Sequence, residues 1–208
     1  MTKTHSWEVI HSSKRMTWRT PPALFDALNE IFRFDLDLAT DGPSNALCAR
    51  YYTPDDDALT QPWEAGNGRW SWCNPPYGRG IHRWFDKAVD EAGKGARIVM
   101  LANACTDTQW FRQAWTHCRE IWLFTGRIKF VDPDDPSKPS APAPKGSALY
   151  VFDGQGLGPP IIRLCTLGGS GWPSRGDIEG RQRYRVTLSS QSSNTNTQKG
   201  SPGSGHQR

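Results

Sequence analysis

Four consecutive residues, Asn74-Pro75-Pro76-Tyr77, put an amide, two imino acids and a phenol in a row. Two adjacent prolines fix two φ angles and supply no N–H, and a proline after Asn74 bars that residue from the helical region. The tetrapeptide is therefore a rigid lip that displays an amide oxygen, backbone carbonyls and an aromatic face. Such a lip can receive amine hydrogens and hold them in one orientation. The plainer reading of the same residues is a proline-stiffened loop with a capping asparagine. Other candidates fall away on spacing. Gly154-Gln155-Gly156-Leu157-Gly158 is followed by Pro159-Pro160 rather than by a helix, which argues against a phosphate-binding loop. The five cysteines, Cys48, Cys73, Cys105, Cys118 and Cys165, lie 13 or more positions apart, so neither a metal knuckle nor a disulfide framework is expected and no metal is assigned.

The elements that must position the lip alternate between helix and strand. Thr20 reads as a helix cap before Pro21 and Pro22, and Leu24, Phe25, Leu28, Ile31 and Phe32 follow at helical spacing. Phe34 to Leu38 alternates as a short strand does and ends in the turn Ala39-Thr40-Asp41-Gly42-Pro43. A second strand, Arg69 to Cys73, runs directly into the lip. Helical spacing returns over His82 to Ala92, a fully buried strand over Ala96 to Ala102, and a helix over Thr108 to His117. Glu120 to Phe124 and Ser147 to Phe152 supply two more strands. Strands separated by helices predict an α/β domain with a largely parallel sheet, whose ligands sit beyond the carboxyl ends of the strands. The lip stands at such an end.

The chain has 208 residues with a formal charge of +4, which becomes −1 when the five bases after Glu179 (Arg181, Arg183, Arg185, Lys199, Arg208) are set aside. The body is nearly neutral, so its overall basicity does not itself argue for nucleic acid. The longest aliphatic stretch, Ile98 to Ala102, is far short of a membrane span, and residues 1–16 carry no apolar signal-like run. A cytoplasmic, membrane-free protein is expected, with its five thiols reduced and buried. Residues 191–208 have no aliphatic or aromatic side chain and are expected to be a disordered tail. Five prolines between Val131 and Gly146 forbid helix and strand and predict a long exposed loop. The expected organisation is an arm over 1–16, one domain over 17–190 with the proline-rich loop at 131–146, and the tail. Most of the ten tryptophans are expected in the core.

Further residues fall into an ordered set around the lip. Trp18-Arg19-Thr20-Pro21 with Leu24-Phe25 comes first, then Phe34-Asp35-Leu36-Asp37-Leu38-Ala39 followed by Asn45-Ala46 and Tyr52, then Asp57-Ala58-Leu59 with Trp63. After Asn74-Pro75-Pro76-Tyr77 come Thr106-Asp107-Thr108 with Trp110-Phe111, Gly126-Arg127-Ile128 with Phe130, and Gly146-Ser147. This set, covering roughly residues 18 to 152, resembles the methyltransferases of exocyclic base amines, whose signature is Asp/Asn/Ser-Pro-Pro-aromatic. The nearest likeness is to the small phage and prophage DNA N6-adenine methyltransferases of the Dam family, some of which work in restriction-modification.

The resemblance implies a Rossmann-like fold, a mostly parallel central sheet with helices on both faces, and S-adenosylmethionine as methyl donor. It implies DNA as partner, and the chain is expected to act as a monomer or weak dimer. Asn74, Pro75, Pro76 and Tyr77 become the catalytic set. The lone pair of an adenine amine is delocalised into the ring; if the Asn74 oxygen and the Pro75 carbonyl each accept one amine hydrogen, that lone pair turns toward the donor methyl. Tyr77 would stack on the flipped base. Thr20 and Pro21 would lie against the donor's methionine end, Asp35 and Asp37 near its ammonium or ribose, and Asp57 beside its adenine amine. Alternation puts Asp35 and Asp37 on one side of their strand, so one should face solvent, and Asp37, nearer the strand's end, is the favoured ligand. The chain departs from typical methyltransferases in having no glycine loop after that strand, and Arg50-Tyr51-Tyr52 stands where a ribose-binding acid is usual. Arg79, Arg83, Arg127 and Lys129 are candidates for DNA phosphates. Rival readings are methylation of another planar amine, in RNA or a protein glutamine, and a catalytically silent DNA-binding module of the same fold.

Overall fold

The computed structural model describes residues 18–132, 142–154 and 158–166. The expected arm, the tail, the basic residues after Glu179 and most of the proline-rich loop lie outside the described residues. Seven strands, β1 (Phe34–Asp37), β2 (Arg50–Tyr51), β3 (Trp70–Cys73), β4 (Arg97–Asn103), β5 (Glu120–Thr125), β6 (Ser147–Asp153) and β7 (Ile161–Thr166), form one sheet in the order β2-β1-β3-β4-β6-β5-β7. Pairing is parallel except at β6, which runs antiparallel to both β4 and β5. β6 can reverse because β5 and β6 are adjacent in sequence and need no helical crossover between them.

Helix α1 (Pro22–Phe32) covers one face of the sheet, and α2 (Ile81–Gly93) and α3 (Gln109–His117) cover the other. The buried stripe of α1 is Leu24, Phe25, Leu28 and Phe32, packed on Phe34, Trp72, Val99 and Leu101. The opposite core gathers Ile81, Phe85, Ala88, Trp110 and Ala114 around Leu36, Ile98, Met100 and Tyr150. Successive residues of β4 therefore enter different cores, which is why that strand reads as an unbroken apolar run. This is the expected α/β, Rossmann-like arrangement, with helices on both faces. Among the described residues no helix is long and apolar enough to cross a membrane.

Several expectations need correction. Thr20 does not cap α1: Pro21 occupies the cap position, the helix starts at Pro22, and no side chain caps it. β1 carries an irregularity, its register shifting between Phe34 and Leu36, so those two residues enter opposite cores and simple alternation fails at Asp35. β2 and β7 are additions to the expected strands. β2 is only two exposed residues long, and β7 leaves Ile161, Ile162 and Leu164 exposed, so neither carries the buried pattern by which strands are recognised. Of the eight described tryptophans four, Trp63, Trp72, Trp110 and Trp122, are buried; Trp18, Trp70 and Trp84 are partly buried against the two cores, and Trp115 is exposed. Both described ends of the proline-rich segment are anchored, with Val131 bridged to Arg19 and Ala143 buried on Ile128. All five cysteines are free thiols; Cys73, Cys118 and Cys165 are buried, while Cys48 and Cys105 are partly exposed.

Candidate active site

Parallel strands bring their carboxyl ends to one edge, and the segments leaving β1, β2 and β3 enclose a cavity of about 270 Å³ there. The strap that precedes α1 closes its side. Thr20, Asp37, Asp57, Asn74 and Pro76 all line this cavity, although up to 56 positions separate them in sequence. Thr20 is buried, yet its hydroxyl has no hydrogen-bond partner among the described residues. A buried hydroxyl without a partner costs stability, and one on a cavity wall is a ready contact for a ligand. Asp57 sits at the end of a 3-10 turn in a left-handed conformation (φ 46), exposed at the cavity wall, and its carboxylate accepts no hydrogen bond from the described residues.

Asp37 has a different employment. Its two oxygens accept the backbone N–H groups of Ala39 (3.2 Å) and Leu47 (3.0 Å), which ties the loop after β1 into the cavity wall. Burial pushes its carboxyl above the usual carboxylate range, against the pull of those two hydrogen bonds. Asp35 is not among the lining residues; it faces Arg50 at 3.4 Å in a half-exposed pair. Of the two acids on β1, Asp37 is thus the inward one, and Asp35 lies outside the cavity. Pro21 also stays off the cavity wall, at the start of α1.

At the lip the side chains form a chain of hydrogen bonds. The Asn74 amide nitrogen donates to the Trp18 carbonyl at 2.6 Å, and the Tyr77 hydroxyl donates to the Asn74 amide oxygen at 3.1 Å, with the Leu101 carbonyl 3.4 Å from that hydroxyl. Tyr77 lies beyond the cavity lining, its ring set edgewise to Phe130 at 6.2 Å between centroids, and burial pushes its phenol well up. Pro75 is buried beneath and Pro76 is exposed on the rim. Arg79 and Arg83 are exposed at the start of α2, and Arg127 and Lys129 are exposed after β5. Arg127 spends one donor on the Ala143 carbonyl at 3.1 Å, which fastens the far end of its own segment.

The cavity also holds residues that the sequence did not mark as ligands. Arg19 pairs with Asp41 through two hydrogen bonds of 2.9 and 2.7 Å, and both line the cavity with Tyr52, Thr53, Trp18 and Trp84. Their charges cancel only within the fold, so no local pattern could have announced the pair. With Asp37 and Asp57 nearby, three carboxylates face one guanidinium, which suits a cationic ligand with an apolar body between Trp18, Trp72 and Trp84. Among the described residues no cluster of side chains could hold a metal ion.

Comparison with known proteins gives two matches. Residues 8–162 match the family described as DNA N-6-adenine-methyltransferase (Dam). The Escherichia coli (strain K12) protein YfdM, whose name carries the word methyltransferase, is 45% identical over 64 residues, a stretch that covers 29% of this chain and 69% of that protein.

Proposed function

The chain belongs to the DNA N-6-adenine-methyltransferase (Dam) family, and from that premise we propose that it moves a methyl group from S-adenosylmethionine to the N6 amine of adenine at a defined DNA sequence. The observation that carries this reading is that Asn74 lines a cavity whose wall also holds a buried hydroxyl, Thr20, and a carboxylate, Asp57, neither of which has a hydrogen-bond partner among the described residues. When bound there, S-adenosylmethionine supplies an electrophilic methyl on a sulfonium. Its positive charge agrees with the excess of carboxylates, and its amines and hydroxyls agree with the free Thr20 and Asp57 groups.

The roles of the chain's own residues follow from this reading. Thr20 and Asp57 bind, and Asp37 keeps the loop from Ala39 to Leu47 in place as part of the wall. Asn74 orients: its oxygen keeps a lone pair free of the Tyr77 hydroxyl and accepts one hydrogen of the target amine, and the Pro75 carbonyl accepts the other. With both hydrogens held, the nitrogen lone pair is directed into the cavity, and catalysis rests on orientation and fixed dipoles with no covalent intermediate on the protein. Tyr77 steadies the Asn74 oxygen and offers a ring edge of the base site beside Phe130. Arg79, Arg83, Arg127 and Lys129 are read as phosphate contacts, and the protein as acting in the cytoplasm, as a monomer or weak dimer. The test is incubation with methyl-labelled S-adenosylmethionine and unmethylated DNA, followed by nucleoside analysis. Label in N6-methyldeoxyadenosine supports the reading. Label confined to RNA or to protein glutamine in parallel incubations overturns it.

A further inference from the structure

The Asn74 amide is not free to choose its orientation. A backbone carbonyl accepts hydrogen bonds and donates none, so the Trp18 carbonyl, 2.6 Å away, requires the nitrogen of the amide to face it and turns the oxygen the other way, where it accepts the Tyr77 hydroxyl at 3.1 Å and keeps a second lone pair for the target amine. The carbonyl is itself held. Arg19, the next residue, exchanges two backbone hydrogen bonds with Val131, its N–H donating at 3.3 Å and its carbonyl accepting at 2.9 Å, and its guanidinium is fixed by Asp41. Thr20, one residue further on, is part of the cavity wall. The strap of Trp18, Arg19 and Thr20 therefore links the cavity, the amide at position 74 and the segment that follows β5.

We propose that Trp18 is a positioning residue whose main-chain carbonyl sets the Asn74 carboxamide oxygen toward the target amine, and that position 74 of this chain must consequently carry an amide and not a carboxylate. This rests on the reading of Asn74 as the amine acceptor. A carboxylate would offer an equally good acceptor to the amine, and the family signature admits aspartate there. In this chain it would also set a negative oxygen against the Trp18 carbonyl with no proton between them. The pair regains a hydrogen bond only when the carboxyl is protonated. Its folded-state pKa is then raised, so the variant is penalised at high pH and relieved as pH falls through that value. Around position 74 the titratable groups are Tyr77 and Cys73, both pushed up by burial, and the cavity's Asp37, Asp41, Asp57 and Arg19. All of them are present in both proteins, so the ratio of variant to wild type isolates residue 74.

The experiment compares Asn74→Asp with wild type between pH 8 and pH 5.5, by single-turnover methyl transfer at saturating donor and by thermal melting. At pH 8 the variant should lose about a hundredfold in rate, the order seen when one preorganised polar group is removed from a reaction site. The deficit should shrink by about tenfold or more as pH falls, and the melting-temperature deficit should shrink over the same range. A rate ratio and a melting difference that both stay flat with pH overturn the proposal, whether the variant is active or dead. A variant too unstable to melt cleanly is replaced by wild-type protein labelled with 15N. One Asn74 side-chain amide proton should be shifted downfield and exchange slowly, and exchange as fast as that of exposed asparagines overturns the proposal. The melting and exchange results do not depend on turnover, so they stand even if the wild type leaves DNA adenine unmodified, which would instead remove the methyltransferase reading.

Discussion

Thr20 carries the sharpest prediction at the scale of single residues, because its hydroxyl is buried and unpartnered on the cavity wall. Valine is nearly isosteric and removes only the polar atom. Thr20→Val should lower donor affinity about five- to tenfold, the worth of one hydrogen bond, while the free protein melts at the same temperature or slightly higher. Asp57→Ala should likewise weaken donor binding in a calorimetric titration with little change in rate at saturating donor, since its contact is made equally before and during transfer. Unchanged affinity in either variant would remove that residue from the site. Both residues stood out in the sequence through their place in an ordered motif set, and both line the cavity. The hydrogen bond from Asn74 to Trp18 was not, because its partners lie 56 positions apart and one of them is a main-chain carbonyl that no residue type announces. Asp37 was legible as the inward acid, but its commitment to the N–H groups of Ala39 and Leu47 depends on where the following loop returns.

Elements were read well where burial wrote a pattern and poorly where it did not. β4 and the stripe on α1 were visible because each side chain faces a core, whereas the irregularity in β1 shifts the chain by a residue without changing composition. One tie between elements is separately testable. Glu91 on α2 accepts the backbone N–H of Trp63 at 3.0 Å and the ammonium groups of Lys87 and Lys94 at 2.7 Å each. Trp63 in turn donates its indole N–H to the Ala58 carbonyl at 2.7 Å, and its carbonyl accepts the Ser71 hydroxyl at 2.6 Å, so Glu91 fixes the segment that bears Asp57. Burial alone would raise the Glu91 carboxyl, but these hydrogen bonds outweigh it and hold it down at about 2, against 4.5 in the unfolded chain. The sign follows from linkage: its contribution is complete above the unfolded value and is lost as pH falls from 4.5 toward 2. Glu91→Gln should destabilise by about 1.5–3 kcal/mol near neutrality, as expected for hydrogen bonds to a charged group. Denaturant midpoints should show that difference shrinking in the acid range, and a difference constant with pH would show that the charge is immaterial.

Over the whole molecule, charge and chemistry sit in different places. The fold class, the sheet edge that holds the cavity and the family were all readable, because strands alternating with helices leave few alternatives and the motifs occur in order. How tightly the chain holds DNA was not readable, since the five bases after Glu179 dominate a charge that is otherwise slightly negative. Truncation after Glu179 should lower DNA affinity and flatten its salt dependence, by up to about 0.9 in log–log slope for each phosphate that is no longer neutralised, without changing the sequence chosen. A folded truncation with an unaltered slope would make the tail's charge incidental. The central claim, that Asn74 acts on the amine while the cavity independently holds the donor, is tested most directly by single-turnover transfer from saturating S-adenosylmethionine to unmethylated DNA, comparing wild type with Asn74→Ala and measuring donor affinity on the same samples. Wild type should form N6-methyldeoxyadenosine, and the variant should bind the donor within a few-fold of wild type and form none. Transfer by the variant at a rate near that of wild type would contradict the account.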